Sequence, residues 1–264
     1  MLLRKKEEIE AWLQKYYIKK YNIIPNEEYG YIVDVNNSVN LSFEFIKNIE
    51  VKFNEIKGYF DCSYNELKSL EGCPRIVNGT FNCEHNELTS LKYAPQLVEN
   101  SFNCSNNQLK SLEGCPKTIN RDFLCNGNYI NSLDYLPCRI DGSFECCHNH
   151  LISLKGNLKE VTENFYCENN YLETLEGCPK NIKKLFCTNN KLTIKGLKFL
   201  PKEIKENYID ISKNKELEEF QNINNFNELK EKVEEIFKIK KEKNNLLNII
   251  NTEKLNKNKS INKI

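Results

Sequence analysis

The chain has 264 residues, a hydrophobic fraction of 39%, 28% charged residues and a formal net charge of +1, with a mean hydropathy of −0.63. A balance so near zero gives no global field toward nucleic acid or an anionic membrane, and no apolar run approaches the ~20 residues that cross a bilayer. Residues 1–12 (MLLRKKEEIEAW) lack the uninterrupted apolar stretch of a secretory signal, so a cytoplasmic setting is expected, the chain's own or that of a host cell.

In chain order, Ile9, Trp12, Leu13 and Tyr16 come first, at helical spacing. They predict a helix over residues 4–20, within an N-terminal helix and cap strand at 1–36, with the single tryptophan as its anchor. Residues 37–57 then introduce a period: Val39, Leu41, Ile46, Ile49 and Ile56 each stand 21 residues before Phe60, Cys62, Leu67, Leu70 and Val77. From Gly58 to Lys183 the period is regular and yields six units of 21 residues. Counting Gly58 as position 1, the third position is always Phe, the fifth always Cys, the eighth always Asn and the thirteenth always Leu. Position 17 is proline in five of the units (Pro74, Pro95, Pro116, Pro137, Pro179), with Leu158 as the exception.

Alternation at positions 3 and 5 predicts a short strand with Phe and Cys turned inward. The Asn at position 8 ends that strand, because a short amide bonds main-chain groups where the chain turns and neighbouring coils stack. The recurring proline favours an extended return path. One coil cannot bury these residues alone, whereas stacked coils bury them continuously. Twelve cysteines would suggest disulfides in a short secreted chain, but most here recur with the period and are expected to be small buried hydrophobes in a column.

Residues 184–217 continue the solenoid irregularly, with Ile209, Ile211 and Asn214 echoing positions 3, 5 and 8 in a last strand. Phe226, Leu229, Val233, Ile236 and Phe237 trace one face of a helical cap at 218–250. The basic, asparagine-rich tail at 251–264 is short of core material and is expected to be disordered.

The phrase Phe-x-Cys-x-x-Asn-x-Leu-x-x-Leu resembles the leucine-rich repeat, with Phe and Cys in place of two strand leucines. It is similar to the short repeats of bacterial effectors and closer still to those of 21 residues common in large bacteriophages and some giant viruses. The resemblance covers roughly 37–217. It implies an α/β-type solenoid of short parallel strands, a horseshoe or arc with helical caps, and, with the Asn/Lys/Ile-rich composition, a viral or mobile-element origin. The ubiquitin-ligase domain of some effectors is not implied, since no cysteine follows Cys187.

Motifs for phosphate binding, serine hydrolysis or helical zinc sites are missing, and no Cys-x-x-Cys occurs, so no cofactor and no metal are expected. Cys146-Cys147-His148 could be read as a nucleophile beside a base, but the outer surface of a strand offers no enclosing pocket. Positions 2, 4, 6, 7 and 9 face outward on the strand side, the concave surface in this architecture. Over six coils they carry the carboxylates Asp61, Glu66, Glu84, Glu87, Asp122, Glu145 and Glu168, and no Lys or Arg; Lys68, Lys92, Lys110, Lys117, Lys155 and Lys159 fall on turns or the other side. Leu124, Tyr129, Tyr166, Tyr171 and Phe186 project from the same surface, as do Tyr59 and Tyr64. Carboxylates among aromatic anchors repel phosphate backbones and suit a basic protein partner. The sequence thus predicts a non-enzymatic, monomeric protein-binding module with no membrane or direct nucleic-acid contact. An inhibitor of a host defence nuclease, anti-CRISPR-like, is one use. A virion or assembly component and a Cys147-dependent enzyme are the alternatives.

Overall fold

The computed structural model describes the backbone of residues 2–261 and the side chains of 2–249 and 251. The repeat folds as a parallel β-solenoid. One two- or three-residue strand per coil builds a nine-stranded sheet, from Val39–Asn40 through Phe60–Asp61, Phe81–Asn82, Phe102–Asn103, Phe123–Leu124, Phe144–Glu145, Phe165–Tyr166 and Lys184–Phe186 to Tyr208–Asp210. Register is preserved throughout: each Phe pairs with the Phe one coil on, and Phe165 pairs with Leu185. A period of constant length dictates this, since any slip would turn the inward set to solvent.

The inward side chains form columns. Phe60, Phe81, Phe102, Phe123, Phe144 and Phe165 are fully buried, with neighbouring ring centres 5.3–5.8 Å apart. Burying each ring contributes roughly 1.5–3 kcal/mol. The strand cysteines lie beside them, and thiols of Cys62 through Cys167 donate to main-chain carbonyls of the next coil at 3.3–3.5 Å. A thiol therefore fills the space of a small aliphatic side chain and adds a weak donor. All twelve cysteines are free.

The Asn column is more tightly specified than the turn role expected of it. Asn107 Nδ2 donates to Cys83 O (3.0 Å), Cys104 O (3.2 Å) and Ser105 O (3.1 Å). Its Oδ1 accepts from Leu88 N at 2.9 Å. Asn86, Asn128, Asn149, Asn170, Asn190 and Asn214 repeat the arrangement, each tying its own turn to the coil before it. No hydrophobic residue could supply these bonds to buried main-chain groups.

Three features differ from the sequence reading. The return path is not merely extended: position 20 belongs to short parallel strands, Phe53–Ile56, Ile76–Val77, Leu97–Val98 and Thr118–Ile119, with a further pair at Arg139–Ile140 and Glu160–Val161. At the N-terminus the helix α1 is shorter than 4–20, spanning Lys6–Lys15, and an antiparallel hairpin follows, β1 (Tyr21–Asn26) with β2 (Gly30–Val35). β2 continues the second sheet by pairing with Phe53–Ile56. Trp12 is buried as expected, with its ring 6.1 Å from that of Phe53, so α1 closes the aromatic column. At the other end the irregular stretch before Pro201 forms a 3-10 turn at Gly196–Phe199, and α2 runs Phe226–Ile261. Phe226, Leu229 and Val233 are buried, with Ile236 and Phe237 packed at the margin. Without glycine or proline to stop it, α2 continues through most of the tail expected to be disordered; residues 262–264 lie outside the described residues.

Candidate functional site: the outer face of the nine-stranded sheet

Side chains at positions 2, 4 and 6 stand on the outer face of the nine-stranded sheet, because the pleat turns positions 3 and 5 inward. Five of the predicted carboxylates lie there and each is held by a neutral partner. Asp61 Oδ1 accepts from Ser63 N (2.9 Å) and Oγ (2.6 Å). Glu84 Oε2 accepts from Asn103 Nδ2 (3.0 Å), and Glu145 Oε2 from Asn126 Nδ2 (2.8 Å). Asp122 bridges coils, accepting from Ser143 N (2.7 Å) and Ser101 Oγ (3.3 Å). Glu168 Oε2 accepts from Cys147 Sγ at 2.9 Å. Hydrogen bonds to amides and hydroxyls fix these groups without cancelling their charge, so the face stays negative.

Glu66 and Glu87 are different. Position 9 lies beyond the strand, within reach of position 11 of the preceding coil, and Lys47 and Lys68 pair with them at 3.4 and 3.5 Å. Their charge is locally balanced. Tyr129 and Tyr171 occupy the same ridge on either side of His150, with ring centres 5.5 and 5.7 Å away, and Lys191 Nζ lies 4.6 Å from the Tyr171 ring. The predicted single surface is therefore two: an acidic sheet face and a flanking ridge of mixed charge.

The structure gathers aromatic residues at the C-terminal end of the sheet face. Tyr166 and Phe186 stack at 4.7 Å with 12° between planes, and Tyr208 extends the cluster at 5.3 Å. Tyr208 escaped the sequence reading because it opens the last strand, whose repeat is degenerate. Leu124 sits alone between Asn103 and Glu145 in the ladder.

Position 7 has a left-handed backbone in every coil, from Phe43 (φ 60) and Tyr64 (φ 53) through His85, Asn106, Gly127, His148, Asn169 and Asn189 to Lys213 (φ 57). Asn and Gly are the expected tenants; Phe43, Tyr64 and His85 instead form an exposed stack at 4.4 and 4.3 Å.

The Cys147 thiol is half-buried and donates to Glu168, and burial together with that carboxylate raises its pKa well above the usual thiol value. His148 Nε2 contacts Asn169 Nδ2 at 3.2 Å. The pair thus lacks the bond that would make a thiolate. Among the described residues no cluster of His, Cys, Asp and Glu could hold a metal ion, and no helix is long and apolar enough to cross a membrane. Comparison with protein-family models, curated proteins and solved structures returns no match.

Proposed function

We propose that this solenoid, built in the leucine-rich-repeat style, is a protein-binding module whose acidic sheet face takes a basic partner. One observation carries the reading: Asp61, Glu84, Asp122, Glu145 and Glu168 are fixed by neutral hydrogen-bond partners, with no Lys or Arg paired to any of them among the described residues. Ordering carboxylates without neutralising them favours an incoming cation, because their orientation is set before binding. The Tyr166–Phe186–Tyr208 cluster at the end of the face supplies the rigid apolar anchor that charge alone lacks. Covering the basic nucleic-acid channel of a host nuclease in the cytoplasm, on behalf of a virus or mobile element, is a use this surface suits.

The test is capture from lysate with quantitative mass spectrometry, comparing wild type with a Glu84→Gln, Glu145→Gln, Glu168→Gln variant. Glutamine retains an acceptor oxygen for Asn103 and Asn126, so the variant removes charge and leaves the local bonds. A basic protein retained by wild type and lost from the variant, with retention falling as salt rises, supports the reading. Equal retention by both refutes it.

A further inference from the structure

The N-terminal edge of the same sheet holds a second, more specific feature. In every regular coil the carbonyls at positions 2, 4 and 6 accept from the coil before: Phe60 N donates to Thr80 O (2.9 Å), Cys62 N to Asn82 O (2.8 Å) and Tyr64 N to Glu84 O (3.0 Å). Coil 37–57 is the first, so the equivalent carbonyls of Ser38, Asn40 and Ser42 have no coil to serve, and no donor reaches them among the described residues. The segment after α1 does not pair with this edge. It stands off, leaving a cavity of about 280 Å³ between Tyr16–Ile18 on one wall and Ser38, Asn40, Ser42, Glu44 and Tyr59 on the other.

Hydroxyl and amide groups of Ser38, Asn40, Ser42 and the tyrosines line that cavity, and its one charged group is a carboxylate. The cavity offers three main-chain acceptors, the Glu44 carboxylate and the rings of Tyr17 and Tyr59. Glu44 has no lysine or arginine within ion-pair distance among the described residues. Lys15 Nζ lies 4.8 Å from the Tyr16 ring centre, so the chain's own cation already rests against this wall.

Tyr17 supplies an exposed ring at the mouth of the cavity. It occupies the residue just past the α1 cap, where Tyr17 N bonds Gln14 O (3.0 Å) and Ile18 N bonds Leu13 O (2.9 Å). Its φ is 55, in a seat usually held by glycine, yet its side chain is 85% exposed. Left-handed exposed aromatic residues recur in this chain, Phe43 and Phe45 among them, so the φ of Tyr17 marks the helix end, and its exposure leaves the ring free to face a ligand.

We propose that this cavity binds the guanidinium group of an arginine side chain from the partner protein. A guanidinium is planar, carries five N–H donors and no acceptor, and stacks on aromatic rings while pairing with a carboxylate. An ammonium shares the charge but not the flat stacking face. The proposal rests on the acidic-face reading and deepens it: the face attracts a basic partner, and this pocket selects arginine over lysine at one end.

The probes are tetra-arginine amide and tetralysine amide, which carry equal side-chain charge, titrated calorimetrically into the full chain. Wild type is expected to bind tetra-arginine about five- to tenfold more tightly than tetralysine. Tyr17→Asn and Tyr59→Ser should each bring that ratio to within about twofold of unity, leaving tetralysine affinity unchanged. Asparagine is at ease at positive φ, and the Ser38 contact of Tyr59 is through its main-chain nitrogen, so both variants keep the fold; circular dichroism checks this. A ratio unchanged in both variants overturns the arginine pocket. Tetralysine binding indifferent to Glu84→Gln, Glu145→Gln, Glu168→Gln overturns the acidic face instead, and no binding of either peptide to wild type overturns both.

Discussion

At the scale of single residues, the asparagine at position 8 matters more than its size suggests. Asn107 is 6% exposed and joins four main-chain groups across two coils. Asn107→Ala would leave the Leu88 N–H and the Cys83 carbonyl without a side-chain partner in the interior. Each stranded group costs about 1–3 kcal/mol, so a loss of roughly 3 kcal/mol is expected from the denaturant midpoint at unchanged slope. Its neighbour Asn106 is exposed and left-handed (φ 54), and Asn106→Gly should change stability by less than about 0.5 kcal/mol. Similar effects from the two substitutions would show that the buried amide is not what ties the coils.

Residue by residue, the sequence disclosed most of what repeats. Phe, Cys, Asn and Leu each have one place in the coil, and periodicity alone assigns them inward. The left-handed row was hidden because Phe43, Tyr64 and His85 stand where only Asn or Gly would have signalled the conformation. The balancing of Glu66 and Glu87 was hidden for another reason: Lys47 and Lys68 reach them from the preceding coil, a neighbour nineteen residues away that linear spacing does not present as adjacent.

At the scale of elements, each coil contacts the coils on either side, so stability is close to a sum of units and interfaces. Removing residues 100–120 joins Glu99 to Arg121 and brings Phe81 beside Phe123 in the register that Phe102 held with both. That deletion should fold, with the circular dichroism of wild type and a lower melting temperature. Removing 100–119 instead leaves one residue too many in a coil, and the shifted strand should open the solenoid to proteolysis. The caps obey no repeat, which is why β1 and β2 were legible only as a cap strand: a hairpin outside the period has no second copy to reveal it. The strands of the return path are two residues long in most coils, too short for any alternation to show.

At the scale of the whole molecule, the column of thiols makes the fold sensitive to alkali. Cys62, Cys83, Cys104, Cys125, Cys146 and Cys167 are fully buried; the bond to Cys73 and then burial push the Cys62 pKa above the ordinary 9.0, and burial pushes up the other five. Folded thiols keep their protons while unfolded ones lose them. The stabilisation is therefore complete below about pH 9 and is lost as pH rises, by about 1.4 kcal/mol per unit for each thiol. By pH 10 six thiols sum to roughly 8 kcal/mol, comparable with the net stability of a typical domain. Unfolding between about pH 9 and 10.5, followed by circular dichroism, is expected, and Cys83→Val with Cys125→Val should flatten the dependence. A stability unchanged from pH 8 to 10 would contradict this origin.

The uniform register also bears on how such a chain arises. Strand pairing in the sheet runs only between adjacent coils, so nothing in it depends on how many coils lie between the caps. Unequal recombination that copies or drops one unit of coding sequence yields a foldable protein at once, with the reach of its face changed by one strand spacing, ~4.8 Å. The length of the outer sheet face can therefore change in whole steps, while drift at positions 2, 4 and 6 alters its chemistry.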